Sequence, residues 1–137
     1  MAVDRDGNPH RVTVLLDTNA LMMPSQFRID LFEELRELLG SYEPVVLAEV
    51  VNELTRLSAG HGKDAAAARL GLDLSRKCTL VEGGSDEGTV DERISAYARR
   101  HGGMVLTNDR ALRNQLLTQR IPVISLKNQK KLDVIRR

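Results

Sequence analysis

The sequence predicts an α/β fold of three layers, a five-stranded parallel sheet between two layers of helices, and three observations carry it. Short apolar runs alternate with longer stretches of helical periodicity along most of the chain. Parallel strands need long crossover connections, and a strand-helix alternation supplies them. The strand-like runs are almost continuously apolar, as strands covered on both faces are. Finally, 137 residues, 42% hydrophobic and 28% charged, suffice for one such domain of ordinary globular composition.

The elements follow in order. Val12-Thr13-Val14-Leu15-Leu16 reads as the first strand, over 12–16. A helix over 29–39 carries Ile29, Leu31, Phe32, Leu35, Leu38 and Leu39 at helical spacing, and Gly40 stops it. A strand over 44–47 begins at Pro44, and a helix over 48–59 ends at Ala59-Gly60-His61-Gly62. Another helix over 63–76 runs through the alanines 65–68, and a strand over 78–82 leads into the Gly-rich loop 82–88. A helix over 89–100, a strand over 103–107, a helix over 109–119 and a strand over 122–126 complete the alternation. The last ten residues are expected as a short helix or as chain packed across the surface. The organisation expected is a polar extension over 1–11, a folded domain over 12–126 and a basic tail over 127–137 packing on that domain.

Composition excludes several classes. A single cysteine, Cys78, rules out an internal disulfide and a cysteine-based zinc site. Its setting in Lys77-Cys78-Thr79-Leu80-Val81 suggests a buried strand thiol. His10, His61 and His101 have no metal-ligand spacing and read as surface or loop residues. No apolar run approaches the ~20 residues that span a membrane, and Met1–Arg11 lacks a signal peptide's apolar stretch, so the expected location is the cytoplasm. The Gly-rich Lys-Ser/Thr phosphate loop of an NTPase is missing. Aromatic residues make up only 3%, with no Trp, so any grip on nucleic acid must rest mainly on charge and backbone contacts.

The net charge of +1 conceals an asymmetry. Residues 1–90 hold 9 Lys/Arg against 15 Asp/Glu, a balance of −6, and residues 91–137 hold 11 against 4, a balance of +7. The basic half is either a phosphate-binding patch beside an acidic pocket or a solvated tail.

Four acids stand out within this pattern. Asp17 ends the first strand and Asp109 follows Met104-Val105-Leu106-Thr107-Asn108, so both fall at a strand's carboxyl end. Ligands bind at that edge of an open parallel sheet. Either aspartate could instead cap the helix or turn that follows. Glu53 falls at the edge of the stripe Leu47, Val50, Val51, Leu54 and Leu57, at about 100° per residue. Glu49, one turn earlier, is the weaker candidate. Asp91 lies at the rim of the face formed by Val90, Ile94, Tyr97 and Ala98, while Glu92 points away from it. Asp86 and Glu87 read as solvated loop residues. Thr18, Asn19, Thr107 and Asn108 supply polar groups beside the two strand ends. Clustered carboxylates are electrostatically costly without a cation, and hard oxygen ligands suit Mg²⁺ or Mn²⁺. Metal ions held by such acids can activate water and stabilise the leaving oxygen of a phosphodiester.

Four pieces resemble the PIN domain, the small nuclease domain of ribosomal RNA processing, RNA decay and VapC-type toxins. They are Leu15-Leu16-Asp17-Thr18-Asn19, Val50-Val51-Asn52-Glu53-Leu54, Asp91-Glu92-Arg93-Ile94 with Ala98, and Val105-Leu106-Thr107-Asn108-Asp109. In order and spacing they cover residues 12–126. The segment 21–27, the Asp91-Glu92 pair and the tail Lys127-Asn128-Gln129-Lys130-Lys131 are similar to stand-alone archaeal PIN proteins related to the endonucleases of the small-subunit processome. The additional zinc element of eukaryotic relatives in that branch has no counterpart here. The resemblance implies a PIN-like sheet of order 3-2-1-4-5 and Mg²⁺- or Mn²⁺-dependent cleavage of single-stranded RNA. It places catalytic and metal-binding roles on Asp17, Glu53, Asp91 and Asp109. Asp17 and Asp109 would bind the principal metal, Asp91 would share it, and Glu53 would take a second ion or position water.

RNA phosphates would meet Arg93, Arg110, Arg113, Lys127, Lys130 and Lys131. The implied partner is single-stranded RNA, an rRNA precursor in the leading reading, with a homodimer in keeping with the family. The alternatives are the ribonuclease of a toxin–antitoxin pair, whose partner would be an antitoxin, and a non-catalytic RNA-binding or assembly module.

Overall fold

The computed structural model of the chain describes residues 11–82 and 88–136. Asp86 and Glu87 therefore lie outside the described residues, as do His10 and all but the last residue of the polar extension. The elements are β1 (Val12–Leu16), α1 (Thr18–Phe27), α2 (Leu31–Leu39), β2 (Tyr42–Leu47), α3 (Ala48–Ser58) and α4 (Lys63–Ser75). They continue with β3 (Thr79–Val81), α5 (Val90–His101), β4 (Met104–Leu106), α6 (Arg110–Thr118), β5 (Val123–Lys127) and β6 (Lys131–Ile135).

The sheet order is β3-β2-β1-β4-β5-β6. Its first five strands are parallel and in the implied order. The sixth is a correction: the segment expected as a short helix or surface chain pairs antiparallel with β5, from Val123↔Ile135 to Lys127↔Lys131. Asn128 and Gln129 take left-handed φ of 55° and 59° in the three-residue connection between the paired Lys127 and Lys131. Gln is a poor residue for that conformation, which hides the turn in the sequence. Leu132 is buried while Lys131 and Asp133 stay exposed, the alternation of a strand with one face on the core.

The chain moves one way from β1 to β3 and the other way from β4 to β5. Right-handed crossovers then put α1–α4 on one face and α5 and α6 on the other. The core is aliphatic, drawn from Leu, Val, Ile, Met and Ala of every layer.

Helix α1 was not expected. Its sequence, Thr18 to Phe27, carries Pro24 inside the helix, and Pro in a helix interior removes a hydrogen bond and strains the preceding turn. Packing overrides that cost, for Ala20, Leu21, Met22 and Met23 are all buried. Helix α4 approaches α1 closely at Gly71, where an added Cβ would stand 2.9 Å from the Leu21 carbonyl oxygen. Cys78 is a second correction. It sits half-buried just before β3 rather than on the strand, its thiol 3.9 Å from the Leu74 carbonyl, and burial pushes its pKa up to about 12.

The α1–α4 contact gives a test. Replacing a helical Gly by Ala should stabilise by up to about 1 kcal/mol on propensity alone. At residue 71 the backbone clash reverses the sign. Gly71→Ala is expected to destabilise by about 1–3 kcal/mol in urea unfolding. A stabilised variant would mean that α1 and α4 are not in close contact.

Candidate active site

Parallel order brings the carboxyl ends of β1 and β4 side by side, with Leu16 opposite Leu106. The next residues along are Asp17 and Thr107. Asp17 is only 6% exposed and Thr107 is fully buried. The Thr107 hydroxyl donates to Asp17 Oδ2 and accepts from the Asp109 backbone N–H at 3.0 Å. Asp17 Oδ1 accepts from the Ala20 N–H at 2.7 Å and so caps α1. Asp109 does the same for α6, accepting from the Leu112 N–H at 2.9 Å. Each aspartate thus both caps a helix and faces the site; the two readings left open by the sequence coexist.

The loop after β4 is fastened from both sides. Asn19 Oδ1 accepts from the Asn108 N–H at 3.0 Å, and Asn108 Oδ1 accepts from the Leu126 N–H at 2.7 Å. The Ser125 hydroxyl, from β5, donates to the Thr107 carbonyl at 2.7 Å.

Asp17, Glu53, Asp91 and Asp109 all line one open cleft of about 340 Å³. They come from a strand end, α3, α5 and the cap of α6. Burial lifts the Asp17 pKa to about 7, against the lowering effect of its Thr107 and Ala20 hydrogen bonds, and Asp91 and Asp109 push it the same way as burial. Asp91 is raised above the usual carboxylate range by burial, then by Asp109 and Glu53. The four charges therefore feel one another.

The donor set fits a hard divalent cation. Among the described residues no three acidic, His or Cys side chains close into a cage by themselves. Carboxylate oxygens are the hard donors that Mg²⁺ takes, binding through one or two of them while keeping several waters. The Thr18 hydroxyl, at the wall of the cleft, is buried with no hydrogen-bond partner.

Other residues fall elsewhere. Glu49 does not line the cleft; it pairs with Arg93 at 3.5 Å. Glu92 serves the start of α5: its N–H donates to the Thr89 hydroxyl at 3.1 Å, and its Oε1 accepts from that hydroxyl at 3.4 Å. Arg110 is exposed in the first turn of α6 and Arg113 is half-buried one turn on. Lys127, Lys130 and Lys131 are exposed on the β5–β6 hairpin, which projects from the carboxyl edge of the sheet, and Lys127 pairs with Asp133 at 3.8 Å. Glu53 pairs with Arg56 at 3.9 Å.

Three cleft residues escaped the sequence reading: Met22, Gln26 and Asp64. Thr18, Met22 and Gln26 are spaced i, i+4, i+8 on α1, so missing that helix meant missing its face. Asp64, in the first turn of α4, adds a fifth carboxylate.

The elevated Asp17 pKa has a thermodynamic consequence. The native state holds the proton more tightly than the unfolded chain, so stability falls as pH rises from about 4 to about 7 and stays lowered above. From 3.8 to about 7 the cost is up to roughly 4 kcal/mol. Asn caps a helix as well as Asp does. In EDTA, Asp17→Asn should therefore raise Tm at pH 8 and leave it near wild type at pH 4. Equal shifts at both pH values would mean that charge burial is not the source.

The fold has counterparts among known proteins. A family model described as a PIN like domain matches residues 14–129. The chain is 33% identical over 135 residues to Ribonuclease VapC9 of Archaeoglobus fulgidus, covering 98% of this chain and 97% of that protein. It is 28% identical over 126 residues to Ribonuclease VapC4 of Methanocaldococcus jannaschii, covering 88% and 95%. Among solved structures, the PIN domain endonuclease Utp24 superposes with a TM-score of 0.75 at 27% identity, over 91% of this chain and 92% of that one. With matches spanning nearly its whole length and the sheet order described above, the chain belongs to the PIN-like domain family.

Proposed function

We propose that this protein is a divalent-metal-dependent endoribonuclease that cleaves single-stranded RNA. The observation that carries the reading is the convergence of Asp17, Glu53, Asp91 and Asp109, from four separate elements, on one cleft at the carboxyl edge of the sheet. Five carboxylates with Asp64 make a poor surface for a polyanion. A bound Mg²⁺ or Mn²⁺ would supply charge neutralisation, polarisation of the phosphodiester and an attacking water of lowered pKa. Asp17, Asp91 and Asp109 are the residues to hold it, with Glu53 in the same cleft to orient water or take a second ion.

The chain's own part is positioning. Thr107 fixes Asp17 through its hydroxyl and Asp109 through that residue's N–H, so one side chain sets the spacing of two ligands. The hairpin lysines Lys127, Lys130 and Lys131, with Arg110, supply positive charge at the same edge for RNA phosphates. Arg93 and Arg113 are placed less directly.

An rRNA precursor is the substrate we propose, supported by the likeness to the Utp24 endonuclease. A second reading, the ribonuclease of a toxin–antitoxin pair, is favoured by the full-length match to Ribonuclease VapC9. Growth arrest on expression, relieved by Asp109→Asn and by an adjacent small antitoxin gene, separates the second from the first.

Cleavage of a labelled single-stranded RNA tests the activity itself. Wild type is expected to cut in Mg²⁺ and in Mn²⁺ but not in EDTA, and folded Asp17→Asn is expected to be inactive. Full activity in that variant sinks the assignment. Thr107→Val should lower activity or metal affinity by about 10–100-fold, as loss of an outer-shell partner does; an unchanged rate would remove Thr107 from the site.

A further inference from the structure

A second depression, of about 450 Å³, runs along α5 beside α6. Both helices start at the carboxylate cleft, with Asp91 in the first turn of α5 and Asp109 capping α6. They lie on the same face of the sheet and run away from the cleft together. Glu82 and Glu92 line the end of the groove nearest the cleft, and Arg99, Arg100 and His101 line its far end, so positive charge grows with distance from the cleft.

Three features of this groove point to a ligand. Arg99 and Arg100 are exposed and make no ion pair among the described residues. A helix C-terminus attracts cations, which accounts for their charge but not for the polar atoms nearby. Among the described residues the hydroxyl of Ser95, only 3% exposed, has no partner, and neither has the buried Gln119 amide oxygen. Buried polar atoms are nearly always paired, so these two orphans, one on α5 and one at the C-cap of α6, leave hydrogen bonds for a guest to make. Third, Tyr97 stacks on His101, ring centroids 4.2 Å apart and tilted by 34°, in a chain with only 3% aromatic residues.

Arginine pairs with phosphate, aromatic rings stack bases, and a hydroxyl and an amide read base edges or the ribose 2′-OH. We infer that the α5–α6 groove is a second RNA subsite, which holds the single strand on one side of the bond cut in the carboxylate cleft. This rests on the ribonuclease reading and adds residues to it that lie outside the acidic site. Helix α5 has 12 residues and is about 18 Å long, room for about five nucleotides at a stacked spacing of about 3.4 Å.

The test is binding of fluorescein-labelled oligouridylates of 4 and 12 nucleotides in Mg²⁺, with Asp17→Asn as the background so that the probe survives. Adding Arg99→Ala and Arg100→Ala is expected to weaken the 12-mer about tenfold and to leave the 4-mer within about twofold. For the 12-mer the slope of log affinity against log salt should fall by about 1.4, two phosphate contacts on a single strand. Arg99→Glu with Arg100→Glu should deepen the same length-dependent loss, and thermal melts check that each variant is folded. An unchanged 12-mer, or equal loss for both lengths, overturns the groove while leaving the nuclease reading intact. Failure of the unsubstituted background and of wild type to bind either RNA overturns both.

Discussion

A carboxylate held out of water at the end of the central strand is the constraint on which the site depends. Asp17 is buried because β1 has neighbours on both sides and a helix begins at the very next residue. Desolvation alone would expel the charge or protonate it. Three groups make the position tolerable: the Thr107 hydroxyl, the Ala20 N–H and the amino end of α1. The two hydrogen bonds each outweigh the push from Asp91 or from Asp109, but not burial, which keeps the Asp17 carboxyl well above its usual range. Such a group among further acids is the environment that the proposed cation would relieve.

The helix caps explain how so small a domain holds these acids still. Asp17 and Asp109 each leave a parallel strand and start a helix, and each spends one carboxylate oxygen on its helix N-terminus. Capping thereby removes side-chain freedom that a loop aspartate would keep. Thr107 ties the two caps together, and Ser125 holds the backbone carbonyl of Thr107 from the adjacent strand. Rigidity at the site is thus built from ordinary secondary-structure termini, reinforced by polar cross-links between neighbouring strand ends.

Charge is arranged by the same topology. The acidic first part of the chain contributes Asp17, Glu53 and Asp64 to the cleft, and the second part adds Asp91 and Asp109 and sets the hairpin lysines at the same edge, with the arginines of α5 at the far end of that helix. The parallel sheet puts every strand's carboxyl end on one edge, so residues far apart in sequence become neighbours there.

Local signals were enough for much of this molecule. The five parallel strands and five of the six helices are legible from apolar runs, helical spacing and Gly stops, because each buries one continuous surface. Asp17, Glu53, Asp91 and Asp109 stand out by their positions at strand ends and stripe edges. What the sequence could not disclose was decided by contacts between distant segments. Helix α1 forms across Pro24 because Leu21 and Met23 fill the core against α4, a gain no local propensity contains. Strand β6 forms because β5 offers an unpaired edge, although its turn residues are unsuited to a tight hairpin. Glu49 and Arg93 point at each other instead of at substrate, which only the packing of α3 near α5 could settle. By itself the sequence determined which residues seek the core and which acids end strands. The tertiary structure alone decided that those acids share one cleft, because long-range strand pairing sets which chain ends meet.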